Sequence, residues 1–170
     1  LYVASFNFLD LYALDTRSEV ASYDEHLYGT SYVHDGDLLV ATSNNVYRYR
    51  VSESEHDLVW GVQLRGSVGD LRLLPDGLLA SGEAGVFSVG YDGEQRRWGE
   101  TDAAIDRPAV VDDHVFSLDR YHQLRAFDLD SGAHRAEATL QAEGLPIAPV
   151  ESISRTLLIG LEPLIAYEIQ

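Results

Sequence analysis

The sequence predicts an all-β chain, a β-propeller of four-stranded antiparallel blades of which about four and a half to five are visible. Three observations carry this expectation. The stretch Leu124 to Gly132, LRAFDLDSG, is a strand running into a turn, and weaker copies recur as LYALD at Leu11, VYRYR at Val46, VFSVG at Val86 and LIAYE at Leu164. Their second residues, Tyr12, Tyr47, Phe87, Arg125 and Ile165, lie 35, 40, 38 and 40 residues apart, a period typical of units that cannot bury their own faces alone. No window of 11 or more residues shows a helical apolar period, which leaves strands as the repeating element. Finally, the second and third strands of each unit are apolar on nearly consecutive residues, as in LLVA at Leu38, VFSL at Val115 and TLLIG at Thr156. The outer strands alternate or turn polar, as from Glu94 to Arg97 and from His134 to Glu137. A sandwich buries one face of each sheet and gives clean alternation. Sheets stacked face to face around an axis bury their middle strands on both faces.

Five units follow in order, at residues 1–28, 29–65, 66–103, 104–142 and 143–170, and together they form a single propeller domain or a segment of one. The first reads as the strands LYVAS, LYALD and EVASYD, with turns at Asn7 and from Asp15 to Ser18, and is expected to lack its first strand. The second has SYV, DLLVATS, NVYRYRV and LVWGVQL, with turns at Asp35-Gly36 and Ser43-Asn44-Asn45. Gly and Asn supply positive φ or local side-chain hydrogen bonds at such turns. The third runs GDLRLLP, GLLASGE, GVFSVG and QRRWGE, with hairpin signals at Asp76-Gly77 and Asp92-Gly93. The fourth is RPAVVDD, HVFSLDR, LRAFDLD and HRAEATL, broken at Asp112-Asp113, Arg120-Tyr121-His122 and Asp130-Ser131-Gly132. IAPVES, TLLIG and LIAYEIQ make up the fifth. The resulting 18 strands are not a multiple of four. The expectation is a piece of a larger propeller of roughly seven or eight blades. The other possibility is a five-bladed ring with two short blades. A start without Met that opens directly into a strand fits a segment of a longer chain.

Charge excludes some functions. The chain carries 12 basic residues, all of them Arg, against 28 acidic ones, for a net charge of −16. Such a field repels phosphate backbones and anionic headgroups, so neither nucleic acid nor a membrane surface is an expected partner. Dispersed acidity without Lys points to a salt-loving organism, where roughly 1 M salt shortens the Debye length to about 3 Å. A cell-surface or secreted origin is expected with it. There is no Cys, hence no disulfide framework, thiolate metal site or Cys nucleophile. The longest apolar run, Leu157 to Ala166, is interrupted by Glu162 and Pro163 and is too short to span a membrane as a helix.

The string LYALD, followed by a polar turn and a fourth-strand aromatic, resembles the quinoprotein-type propeller repeat. That repeat is shared by pyrroloquinoline-quinone (PQQ) dehydrogenases and by non-catalytic propellers of the BamB type. The spacing from the second motif residue to the aromatic is 11 for Tyr12 to Tyr23, 13 for Tyr47 to Trp60 and 11 for Phe87 to Trp98. The resemblance implies that Trp60 and Trp98, and more weakly Tyr23, dock between neighbouring blades as packing residues. Arg125 to Ala136 keeps the spacing of 11 and loses the aromatic.

The repeat chemistry carries no catalytic motif. A dehydrogenase would hold PQQ over an aromatic platform with calcium and use an Asp as base, but the chain has no vicinal Cys pair and no Trp beyond the two docking positions. No catalytic, cofactor-binding or metal-binding residue is therefore assigned. Asp128, Asp130 and Gly132 form the first half of a calcium loop, yet the twelfth position is Thr139 where a bidentate Glu is needed. A turn is the better reading. Asp112, Asp113 and His114 are likewise read as a solvated turn, and His26, His34 and His56 stand singly. The best functional candidate is the loop Arg120-Tyr121-His122, whose cation, phenol and imidazole suit contact with a protein or an extended ligand. The leading expectation is a non-catalytic binding or scaffold module. A segment of a PQQ-dependent dehydrogenase and a carbohydrate-binding propeller are the alternatives.

Overall fold

Among the described residues, eighteen strands, each antiparallel to its neighbours, make up five sheets taken in chain order, and there is no helix. The computed structural model describes the backbone of residues 2–4, 9–12, 19–23, 31–52, 56–100, 107–141, 143–153, 156–162 and 165–168, with side chains in 31–52, 57–96, 107–141 and 156–159. The first sheet holds β1 (Tyr2–Ala4), β2 (Leu9–Tyr12) and β3 (Glu19–Tyr23). The second is β4 (Ser31–His34), β5 (Asp37–Ala41), β6 (Asn45–Val51) and β7 (His56–Gln63). The third is β8 (Val68–Leu74), β9 (Gly77–Gly82), β10 (Gly85–Gly90) and β11 (Gln95–Glu100). The fourth is β12 (Ala109–Val111), β13 (His114–Leu118), β14 (Gln123–Asp128) and β15 (His134–Thr139). The last has β16 (Glu143–Ile153), β17 (Thr156–Glu162) and β18 (Ile165–Glu168). Each sheet is a meander of neighbouring strands. The turns at Asn7 and from Asp15 to Ser18 lie outside the described residues.

The core lies between sheets, which is why the middle strands are apolar on both faces. One cluster joins Leu39, Ala41 and Val46 of the second sheet to Leu71, Leu78, Ala80, Phe87 and Val89 of the third. On the other face of the third sheet Leu74, Leu79 and Val86 meet Val115 and Phe127 of the fourth. The opposite face of the fourth sheet sets Phe116, Leu118 and Ala126 against Leu157 and Ile159 of the fifth. Along β9 the alternation Leu78, Leu79, Ala80 therefore sends successive side chains into different clusters. Every residue of β5, β9 and β10 is buried. At roughly 1.5 to 3 kcal/mol per buried Leu, Val or Phe side chain, sheet-to-sheet burial is the main source of stability.

A β-bulge interrupts the pairing of the third and fourth strands of each four-stranded sheet, and recurs in the first sheet. The register shifts at Leu11/Tyr12, Arg48/Tyr49, Ser88/Val89 and Ala126/Phe127, which leaves Val20, Val59, Arg96 and Arg135 as the extra residues. The shift follows the third residue of VYRYR, VFSVG and LRAF, so the equivalent stretch of the first sheet starts at Leu9. That corrects the sequence alignment on LYALD at Leu11 by two residues. Asp76-Gly77 is corrected as well. The turn is Pro75-Asp76, and Gly77 is a strand residue whose added Cβ would collide with the Val89 carbonyl oxygen. Close backbone approach, not positive φ, demands glycine there.

Candidate functional site

The loop after β13 is built on Asp119. This residue is fully buried, and its Oδ1 accepts from the backbone N–H of Tyr121 at 2.8 Å and of Gln123 at 2.9 Å. His122 takes a left-handed φ of 62°, its N–H donates to the Asp119 carbonyl, and its own carbonyl accepts from Leu140 N–H. The sequence reading missed Asp119, although an Asp ending a strand before a short polar loop is the usual signal of a side chain that captures downstream amides. Arg125 lies 3.6 Å from Asp119 Oδ2. That oxygen, Ser117 Oγ and His122 Nε2 are buried under the loop without a hydrogen-bond partner among the described residues.

On this base Tyr121 is 61% exposed, and the Arg120 guanidinium carbon lies 5.5 Å from its ring centroid. That distance is within cation–π range. Arg120 and Tyr121 thus form one outward surface, whereas His122 is half-buried behind them.

Trp60 stands at the junction of the second and third sheets, half-buried against their shared core. Its Nε1 donates to the Tyr91 carbonyl at 2.9 Å, and Arg48 Nη1 donates to the same oxygen at 2.6 Å. Arg48 also pairs with the buried Asp37, at 2.7 Å. The Tyr91 ring stacks on His34 with centroids 3.9 Å apart, and its hydroxyl donates to the Leu74 carbonyl. Burial, with the Asp35 and Asp76 carboxylates nearby, pushes that phenol above its ordinary value and keeps it a donor. By ladder position Trp60 faces Arg48 and Trp98 faces Phe87, while Tyr23 faces Leu9. They stand one, two and three residues past their bulges, so the three aromatics are not register equivalents. The side chains of Trp98 and Tyr23 lie outside the described residues, as do those of His26 and His56.

Asp128 serves its own turn. Its Oδ1 accepts from Ser131 N–H and Oγ, its Oδ2 from Arg135 Nη2 at 2.6 Å, and Gly132 supplies a φ of 70°. Arg135 first, then Ser131, holds its carboxyl well below the usual carboxylate range. Asp92 is held low in the same way, by the Glu94 amide and by Arg96. In both turns the arginine is the bulged residue of the next strand. Asp112, with φ 52°, and Asp113, 2.6 Å from His114 Nδ1, form the β12–β13 turn. Among the described residues no group of three or more His, Cys, Asp or Glu side chains could hold a metal ion.

No protein-family model matches the chain, and no curated protein matches it. Solved structures do. The computationally designed Ika8 protein superposes with a TM-score of 0.77 at 10% identity, covering 99% of this chain and 57% of its own. The designed Ika4 protein gives 0.73 at 9% identity, covering 87% and 94%. BamB from Moraxella catarrhalis gives 0.76 at 14% identity, covering 98% and 57%. The chain therefore spans a little over half the length of Ika8 and BamB. At such identities the likeness is one of architecture, and with three four-stranded antiparallel sheets packed face to face it makes the fold a β-propeller.

Proposed function

We propose that the chain is a non-catalytic β-propeller module that recognises a protein or another extended ligand through Arg120 and Tyr121, with His122 setting the loop. The observation that carries this reading is the contrast between the loop's fixed base and its exposed tip. Asp119 holds two amides of the loop from a fully buried position, and Tyr121 is 61% exposed above it. A pre-ordered Arg–Tyr pair gives up little conformational freedom on binding, and Tyr and Arg are the residues that most often anchor interfaces. Tyr121 is also the one aromatic among the exposed large apolar side chains of the described residues. A single ring favours a protein partner over a sugar, which would need a broader aromatic surface.

Panning a random peptide library against the purified chain tests this. Enriched peptides should lose at least tenfold in affinity for Arg120→Ala and Tyr121→Ala, whose melting temperatures stay unchanged. Peptides that bind these variants as tightly, or no enrichment at all, would overturn the proposal. So would a bound chromophore and dye reduction on adding PQQ and calcium, which would favour a dehydrogenase. Glycan-array binding lost in Tyr121→Ala would favour carbohydrate recognition.

A further inference from the structure

The bulges mark the last strands of their sheets. These are β7, β11 and β15, and among the described residues none pairs with a further strand. Exposed edges are normally protected by charge. β15 follows that rule along HRAEAT, where every residue is exposed, and β11 reads QRRWGE. At their bulges these strands carry Arg96 and Arg135, each tied to a turn carboxylate at 2.6 Å. β7 departs from the pattern. Its bulged residue is Val59, 40% exposed, beside Leu58 at 55%. From Leu58 to Gln63 the strand reads LVWGVQ, without a charge. Two of the four exposed large apolar side chains among the described residues therefore sit together on one unpaired edge.

We propose that the β7 edge takes up an extended peptide as an additional antiparallel strand, one that alternates apolar and basic residues. Main-chain hydrogen bonds would give the affinity of such strand addition, and alternate side chains its selectivity. Leu58 and Val59 supply an apolar contact. The basic requirement comes from charge. The sequence before the strand reads Glu53-Ser54-Glu55, the strand itself begins His56-Asp57, and the whole chain carries −16. A second copy would bring the same charge and be repelled, whereas a Lys- or Arg-bearing peptide is attracted.

The probe is a fluorescein-labelled seven-residue peptide alternating Val and Lys, with two N-methylated forms that each block one alternate set of amides. An antiparallel strand uses only every second residue to exchange hydrogen bonds with its neighbour. One methylated form should therefore lose at least tenfold in affinity and the other should bind nearly as well as the parent. Val59→Arg should also lose at least tenfold. It installs the residue that the third and fourth sheets carry at this position and changes the net charge by one of sixteen, so general attraction to cations would be almost unaltered. No binding, equal binding by both methylated forms, or undiminished binding by Val59→Arg would each overturn the proposal. Sedimentation showing a dimer at molar salt that Val59→Arg dissolves would assign the edge to a second copy instead, and overturn it too.

Discussion

Trp60 joins two sheets through its indole Nε1, which donates to the Tyr91 carbonyl at 2.9 Å. Arg48 donates to the same oxygen, so removing the indole N–H leaves the carbonyl satisfied. Trp60→Phe should therefore cost about 1 kcal/mol, the net worth of one hydrogen bond. Urea unfolding is the measurement, with the midpoint falling and the slope unchanged. A loss above ~3 kcal/mol would mean that the indole's packing between the sheets, and not the bond, dominates.

Gly93 lies under the same indole. Its φ is +87°, and an added Cβ would meet Trp60 Cγ at 2.7 Å. Gly36 provides the control, because its φ is +83° and a Cβ there would meet nothing within 4 Å. Gly36→Ala should show the backbone cost alone, about 1 kcal/mol. Gly93→Ala should cost more by the displacement of Trp60. Equal losses in the two variants would show that the Trp60 ring moves aside freely.

Much of this architecture is legible in the sequence because strand burial leaves a mark on consecutive residues. LLVA and VFSL are apolar on nearly consecutive residues, and in VFSL the structure sends Val115 into one inter-sheet cluster and Phe116 and Leu118 into another. The bulges are not legible. An extra residue in one strand changes the register without changing composition. Spacings of 13 and 11 residues from the motif suggest that Trp60 and Trp98 are equivalents, whereas the ladder sets them against Arg48 and Phe87. Tyr91 is hidden for another reason. It contributes its backbone carbonyl to the junction, and no side-chain pattern announces a carbonyl. The loop Arg120-Tyr121-His122 was legible as polar and amphipathic; its support Asp119 carried a turn signal in its place before the loop, but its full burial was not legible, since an Asp in an acidic chain reads as one more surface acid.

Asp119 gives a prediction that separates its hydrogen bonds from its charge. Asp119→Ala strands the Tyr121 and Gln123 amides and removes the charge facing Arg125, at a cost of about 3 kcal/mol or more. Asp119→Asn retains an acceptor for the two amides and should recover about half of that. Amide exchange at Tyr121 and Gln123 should accelerate strongly in the Ala variant and weakly in the Asn variant. Identical exchange in both would show that the loop is held by the Leu140–His122 bond and not by the carboxylate.

Asp92 and Asp128 contribute to stability in a way that depends on acid pH. Their ordinary value is 3.8, and in the folded chain both are lowered by amides and arginines. The folded state thus binds their protons more weakly than the unfolded chain. Their stabilisation is complete above the unfolded value and is lost as pH falls through the folded one. Asp128→Asn should consequently melt below the wild type by the same margin at about pH 7 and pH 5, with the margin closing only below about pH 3. A margin already gone at about pH 4.5 would mean that Arg135 does not hold the carboxylate in solution.

Salt sets two electrostatic effects against each other, and their numbers decide the outcome. Screening weakens exposed pairs such as Arg96–Asp92 and Arg135–Asp128, which contribute little in water. It also weakens repulsion among carboxylates. With 12 arginines for 28 acids, at least 16 carboxylates have no arginine of their own, so repulsion is the larger sum. Raising NaCl from about 0.05 M to about 1 M should then lift the melting temperature by at least ~2 °C, the shift expected for about 1 kcal/mol in a chain of this size. Potassium glutamate at equal ionic strength should do at least as well if screening is the cause. A melting temperature that stays level or falls would mean that the ion pairs outweigh the repulsion, and would remove the physical basis for reading the acidic composition as an adaptation to salt.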